Sequence, residues 1–423
     1  MALWVISFID ISSDYALHST GSSYWDVDQL VPEELRAWIQ FILTLLIALL
    51  ALLGVISLLR IKVWSKTSKE IKLFLLLFLA STVWGMLVGI IKGVPVNYVI
   101  GDSRNILIYL ILFAVVGGMG DKIVDNLYRL FLIGCGIVLV KLFFSLAASL
   151  VFGSGLSWRS LFRQSSFFAP MLFVSIGFMV YDQRRTKRLQ STILALLAAF
   201  GIFAAQARGF FLGVLFGMLF FIIISLNQKK FYRAMPRLFI LMFLILSIGL
   251  CAGIILQDDI TKSFGYWEGT ETFVGGFDFR IRQTNMLLAF FDKNWLVGAG
   301  LGAFDPTWEG YEEWLPRPYL VELEYLNLLA KLGLIGISLW IAAFVFLFSG
   351  CIRTARRALN MQHKGFIFGL TAGLFALMVE SILQTGYSSV LFNLYIVLML
   401  LVLAAVGASQ PIAQSYRAPD SHQ

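Results

Sequence analysis

The chain has 423 residues, of which 59% are hydrophobic and 14% are charged, with a formal net charge of +8 at pH 7. Soluble domains are about 45–50% apolar and about 25% charged, so the composition excludes a soluble enzyme, a nucleic-acid-binding module, a disordered chain and a disulfide scaffold. Unbroken apolar runs of about 17–25 residues favour bilayer-crossing helices over the shorter alternating strands of a membrane barrel. We therefore predict an all-α, polytopic membrane protein with about eleven transmembrane helices, or twelve.

Eleven apolar segments are predicted to cross the membrane in chain order. They are 38–59, 72–91, 105–119, 128–152, 166–181, 189–206, 210–226, 238–256, 325–350, 366–384 and 389–408. If the N-terminus lies outside, the inside segments hold 20 of the 33 Lys and Arg residues and the outside segments hold 11. Because cytoplasmic loops collect Lys and Arg, we predict an outer N-terminus and a cytoplasmic C-terminus.

This orientation divides the chain into three parts: eight helices in 1–256, a large extracytoplasmic loop at 257–324, and three helices with a cytoplasmic tail in 325–423. The loop is rich in aromatic and acidic residues. Its apolar spacing predicts an amphipathic helix from Arg280 to Phe291. We expect a folded, helical lid whose aromatic rings stack on sugars, although an interfacial aromatic belt would give a similar composition.

Three arginines on the outer side are candidates for binding an anion. Arg208 lies at the turn between the sixth and seventh spans, where a phosphate clamp and an arginine reaching the lipid headgroups are both plausible. Arg280 and Arg282 lie in the predicted lid helix, and either could instead be paired with the many acids of the loop. Residues two positions apart on a helix point in directions that differ by about 200°, so Arg280 and Arg282 are not expected to face one ligand.

Two carboxylates, Glu322 and Glu324, stand where the ninth span begins. Partial burial would make either a plausible general base, whereas acids in a first helical turn also stabilise the helix dipole. Possible accessory residues are Arg159 and Arg163 in an outer loop, Lys141 in mid-span, and Glu380 near the outer end of the tenth span. The three cysteines and three histidines are scattered, so we assign no metal and no cofactor.

Four features in order resemble the bacterial O-antigen polymerase and O-antigen ligase superfamily, whose members are Wzy/WaaL-like membrane glycosyltransferases. They are Arg-Gly at 208–209, Arg280 at the start of a helix, NWLVGAGLG at 294–302, and LAKLGLIG at 329–336. The family pattern reads approximately SRG, R, P-x-x-G-x-G-x-G, HN-x-x-L and L-x-E-x-G-x-x-G. The chain departs from it at Trp295, which replaces a proline, at Thr284, which replaces an aromatic residue, and in having no histidine in the loop.

The resemblance implies an enzyme in the bacterial inner membrane that acts on an undecaprenyl-pyrophosphate-linked oligosaccharide. It implies that Arg208 and Arg280, and less directly Arg282, bind the pyrophosphate. The ligase histidine aligns near Glu322, so Glu322 or Glu324 would have to supply the base. We predict an inverting, metal-independent polymerase that transfers glycan to a sugar hydroxyl of another lipid-linked repeat unit, with flippase and chain-length regulator proteins as candidate partners and no nucleic acid.

Two alternatives remain at this point. One is an O-antigen ligase that transfers the glycan to lipid A-core. The other is a transporter or flippase for a lipid-linked glycan, whose site would be formed by Lys141, Lys331 and Glu380. Transporters often contain paired broken helices, and no such pairing is evident in the sequence.

Overall fold

The computed structural model describes residues 68–103, 126–129, 131–137, 139–140, 143, 168–182, 184–204, 208–226, 228–255, 277–304, 323–382 and 390–408. All regular secondary structure in these ranges is helical, as expected for the all-α class. The predicted spans at 38–59 and 105–119 lie outside them.

Nine helices with defined bounds provide the framework of this part of the chain. They are α1 (Lys69–Ile91), α2 (Phe168–Tyr181), α3 (Arg185–Ala204), α4 (Arg208–Ser225), α5 (Lys229–Ile255), α6 (Phe277–Asp292), α7 (Glu324–Arg357), α8 (Met361–Glu380) and α9 (Val390–Ala408). A short helix at 96–103 follows α1, and residues 126–137 contain a further helical stretch.

The long helices agree with the predicted spans in position, but several extend beyond them. Within the described ranges, α1 and α7 are long and apolar enough to cross a membrane, while α2 and parts of α4 and α9 form shorter apolar helices. Helix α5 begins at Lys229, well before the predicted start at 238, and continues through Pro236. Basic residues bounded the apolar run but did not end the helix, because helical backbone bonding does not require apolar side chains. The number of spans and their orientation stay predictions.

Helix α8 lies at the centre of the bundle, where it packs against α2, α4, α7 and α9. Small residues allow its backbone to approach its neighbours closely. A Cβ on Gly369 would lie 2.6 Å from the carbonyl oxygen of Phe173 in α2, and a Cβ on Gly213 in α4 would lie 2.6 Å from that of Ala376. Glycine at these points lets helices pack tightly in the absence of a hydrophobic driving force between them.

Helices α1 and α7 run antiparallel, which defines two ends of the bundle. At one end Glu70 of α1 forms a salt bridge with Arg353 of α7. At the opposite end α1 finishes, α7 and α4 begin, and α8 finishes. The predicted orientation places this second end outside, and we call it the outer end, comprising residues 85–103, 208–213, 324–336 and 376–382.

Helix α7 is broken near the outer end. Gly333 has φ 64° and ψ −176°, a non-helical conformation that favours glycine. The amides of Leu334 and Ile335 therefore donate outside the helix, to the carbonyl oxygens of Trp295 at 2.9 Å and Leu296 at 3.1 Å. The break is thus filled by the chain segment that follows α6.

Candidate active site

The packing of α4 on α8 brings Arg208 and Glu380 to the outer end of the bundle. Arg208 is the first residue of α4 and Glu380 is the last residue of α8. A Cβ on Gly213 would lie 3.4 Å from the Cβ of Glu380. Five residues of helix rise separate Arg208 from Gly213, or about 7.5 Å. The two candidate residues therefore lie at the same end of the bundle, on two helices that pack together.

Glu380 is deeply buried, with 4% of its surface exposed. Its Oε2 atom has no hydrogen-bond partner among the residues that the structure describes. A buried polar atom without a partner costs free energy, and ionisable groups at membrane depth are functional hypotheses by default. These two observations strengthen the case for Glu380 as a residue of the candidate site.

The start of α7 contacts the end of α8. Tyr325 donates a hydrogen bond from its hydroxyl group to the carbonyl oxygen of Met378 at 2.6 Å. Glu324 precedes it as the first residue of α7 and is 4% exposed. This contact places Glu324 at the same end as Glu380. The other predicted carboxylate, Glu322, lies outside the described residues.

Helix α6 contains Arg280 and Arg282 and packs on α7. The predicted helix from Arg280 to Phe291 is confirmed, since α6 spans Phe277–Asp292. Leu287 and Ala330 are buried together between the two helices, with Leu323 and Leu326 packed against them.

Gln283 is 1% exposed on the buried side of α6. Arg280 precedes Gln283 by three residues, so the two positions share a helix face. Arg282 lies about 200° around the helix from Arg280. Position 282 instead shares a helix face with Met286, which packs against the Leu287 and Ala330 cluster.

The segment 294–302, which we call the Gly-rich turn, follows α6 and inserts between α1 and α7. The amides of Ala299 and Gly300 donate to the carbonyl oxygens of Ala330 at 2.9 Å and Lys331 at 2.8 Å. The amide of Leu301 donates to the carbonyl oxygen of Gly85 in α1, also at 2.8 Å. The two sequence segments 294–302 and 329–336, which suggested the family resemblance, therefore bond directly to each other.

Side chains in α1 and immediately after it contact the other side of the Gly-rich turn. The Lys92 Nζ atom donates to the carbonyl oxygen of Gly298 at 2.8 Å and also to Oδ1 of Asn294. The indole of Trp84 donates to the carbonyl oxygen of Val297 at 3.1 Å. These bonds satisfy carbonyl groups that the tight turn leaves without helical partners.

Lys331 and Asp102 form a pair that the sequence analysis missed. The Lys331 Nζ atom lies 2.7 Å from Oδ2 of Asp102. The sequence did contain a sign of this pair, because Lys331 occupies the position at which the family pattern has glutamate. Its buried cation required a carboxylate elsewhere, but the partner lies 229 residues away in sequence. Lys331 is therefore neutralised within the protein and is not an isolated charge of the kind expected at a transport site.

Three accessory candidates, Lys141, Arg159 and Arg163, lie outside the described residues. The predicted site residues that the structure describes lie on four helices: Arg208 on α4, Arg280 and Arg282 on α6, Glu324 on α7 and Glu380 on α8. Helices α4 and α7 both pack on α8, and α6 packs on α7. The arrangement combines cationic and acidic positions at one end of a helical bundle.

Residues 193–341 match the family model Wzy_C, described as O-antigen ligase. The match supports the resemblance of this segment to the O-antigen ligase and polymerase superfamily. The matched range contains α4, α6, the Gly-rich turn and the start of α7, so the resemblance seen in the motifs is confirmed. No curated protein matches the chain. The superfamily supports a bacterial membrane protein with glycosyltransferase-like activity on lipid-linked glycans.

Proposed function

We propose that the chain is a polysaccharide polymerase that transfers an undecaprenyl-pyrophosphate-linked glycan to a sugar hydroxyl of another lipid-linked repeat unit. The observation that supports the proposal is that Arg208, Glu324 and Glu380 lie at the outer end of the bundle, while Arg280 lies on α6, which packs on α7. Cationic groups suit a leaving pyrophosphate, and carboxylates suit an attacking hydroxyl. The bacterial inner membrane, in multiple passes, is the location consistent with such a donor.

The reaction assigns one task to each class of residue. The acceptor oxygen attacks the anomeric carbon of the donor and forms the new glycosidic bond. The bond from the anomeric carbon to the phosphate oxygen breaks, and its electron pair leaves with undecaprenyl pyrophosphate. Arg208 and Arg280 stabilise that developing charge through bidentate hydrogen bonds. In-line attack inverts the anomeric configuration, and the arginines perform the charge neutralisation that a metal would otherwise provide.

A carboxylate accepts the proton of the attacking hydroxyl. Glu324 has the stronger structural support of the two glutamates predicted from the sequence, because it is buried at the start of α7, next to Tyr325 and its contact with α8. Glu380 is a second candidate, since its buried Oε2 is unbonded among the described residues. A general base of this kind contributes about 10²–10⁴-fold to a rate.

An O-antigen ligase is the second candidate function, because the matching family model has that description. The chemistry at the anomeric carbon is the same, and only the acceptor differs. The absence of any histidine between 257 and 324 favours the polymerase, since the ligase pattern has histidine there. Partner flippase and chain-length regulator proteins would belong to the polymerase pathway.

Deletion of the gene distinguishes the two reactions. For a polymerase, electrophoresis of surface polysaccharide should show a single repeat unit or none on an intact core, and extracted lipids should contain no long polymer. For a ligase, long polymer should accumulate on undecaprenyl pyrophosphate and be missing from the surface. Long lipid-linked polymer in the deletion strain would therefore refute the polymerase proposal.

A further inference from the structure

We infer that Asp102 is a positioning residue that fixes the Gly-rich turn, and through it α6, against α7; its importance for turnover rests on the proposed function. A single atom, Oδ2 of Asp102, accepts two hydrogen bonds. One comes from the backbone amide of Gly302 at 2.7 Å and the other from Nζ of Lys331 at 2.7 Å. The short helix at 96–103 therefore joins two segments that are distant in sequence.

The two contacts differ in what they require. The side chain of Lys331 is 5% exposed and that of Asp102 is 16% exposed. A buried ammonium group requires a compensating charge, and removing only one partner of a buried pair leaves the other uncompensated. The Gly302 amide requires only an acceptor oxygen, charged or neutral. The charge and the acceptor function of Asp102 can therefore be separated by mutation.

Lys331 holds both ends of the segment 300–302. Its backbone carbonyl oxygen accepts from the Gly300 amide at 2.8 Å, while its side chain meets the Gly302 amide indirectly through Asp102. Gly302 is also packed closely, since a Cβ there would lie 2.6 Å from the backbone of Tyr98. These contacts hold the end of the turn in a fixed position relative to α7 and the helix 96–103.

Helix α6 directly precedes this turn, so the position of the turn constrains the end of α6. The amide of Gly298 donates to the carbonyl oxygen of Asn294 at 2.8 Å, and the side-chain amide of Asn294 donates to the carbonyl oxygen of Phe290 in α6 at 3.2 Å. Hydrogen bonds and the short stretches of backbone between them thus connect Asp102 through the turn to the end of α6. Through this connection Asp102 helps to set the position of the end of α6 relative to α7.

Two double variants of the full-length protein separate the functions of Asp102. Asp102→Asn with Lys331→Gln removes both charges but keeps a side-chain oxygen for the Gly302 amide. Asp102→Ala with Lys331→Gln removes that acceptor as well. Neither variant leaves a buried charge unpaired, so both should reach the membrane at similar abundance, whereas Asp102→Ala alone should not.

The readouts are polymer yield in cells and hydrogen–deuterium exchange of the peptide covering 299–302 in purified protein. The Asn/Gln variant should resemble the wild type in both. The Ala/Gln variant should form about tenfold less polymer and exchange about tenfold faster, as expected for the loss of one hydrogen bond to a fixed amide.

Two results would overturn the inference. Unchanged exchange in the Ala/Gln variant would mean that Asp102 does not hold the turn. Faster exchange with normal polymer would mean that the position of the turn does not matter for turnover. Failure of the proposed function gives a different result, namely normal polymer from Arg208→Ala, which alters no contact of Asp102.

Discussion

Gly300 and Gly89 meet backbone to backbone, so that a Cβ on Gly300 would overlap the nitrogen and Cα atoms of Gly89. Gly300 also has φ +97°, a conformation that L-residues with a side chain rarely adopt. The segment after α6 therefore packs into a notch in α1, and only glycine fits on both sides of the contact.

Gly300→Ala should destabilise the protein by about 3 kcal/mol or more, because overpacking against a backbone adds to the strain of a positive φ. Thermal unfolding in detergent and membrane abundance provide the measurement. Gly93→Ala is the matched control, since Gly93 has φ +79° but has nothing within 4 Å of an added Cβ. The control should cost about 1 kcal/mol from conformation alone. Equal losses for the two variants would show that the contact with Gly89 does not matter.

Arg208→Ala and Arg280→Ala should each abolish polymer while leaving membrane abundance normal. Lysine should restore little, because it retains the charge but lacks the bidentate guanidinium. Arg282→Ala should cause a smaller loss, since the α6 geometry turns position 282 away from position 280. Arg237→Ala, at an exposed position on α5, serves as the control and should be fully active. Normal polymer from Arg208→Ala would eliminate the pyrophosphate clamp.

Separate Glu322→Gln, Glu324→Gln and Glu380→Gln variants should identify the base. We expect Glu324→Gln to lower the polymerisation rate about 10²–10⁴-fold with unchanged abundance, because an amide cannot accept the proton. Glu380 is buried and its Oε2 has no partner among the described residues. We therefore expect Glu380→Gln to lose activity without losing stability, since glutamine has the same shape and no charge to bury. Polymerisation rates are measured with a lipid-linked repeat unit and purified protein. If all three variants were fully active, a substrate phosphate or water would have to take the proton.

Cysteine labelling tests the predicted orientation. In a background without Cys135, Cys251 and Cys351, a cysteine at exposed Asn285 on α6 should react with a membrane-impermeant thiol reagent in cells with a permeabilised outer membrane. A cysteine at exposed Thr186 on α3 should react only after lysis. The reverse pattern would place Arg208 and Glu324 on the cytoplasmic side and remove the basis for the mechanism.

The sequence predicted the helices well because apolar runs and basic clusters are local properties. The amphipathic pattern from Arg280 to Phe291 was sufficient to locate α6, and the motif segments at 294–302 and 329–336 indicated the family. The contacts between elements were not predictable in the same way. Nothing local to Gly300 identifies Gly89 as its neighbour, and the pairing of Lys331 with Asp102 depends on a fold that brings together residues 229 positions apart.

Charge was the least reliable guide to the function of individual residues. The sequence placed Lys331 in the alternative transport site because it lies in an apolar span, yet in the structure it is paired with Asp102. Glu380 was predicted from the sequence only as an accessory residue and as one member of the alternative transport site. Its burial, and the lack of a partner for its Oε2 in the part of the chain that the structure describes, depend on the fold and are not visible in the sequence.

The break at Gly333 attaches the Gly-rich turn firmly to α7. Five backbone hydrogen bonds connect 295–301 to α1 and α7, and two of them replace bonds that α7 itself lacks. Separating these segments would leave the freed amides and carbonyls facing apolar surroundings, at a cost of several kcal/mol for each group. Residues 295–301 therefore form a fixed junction that holds the end of α6 against α1 and α7.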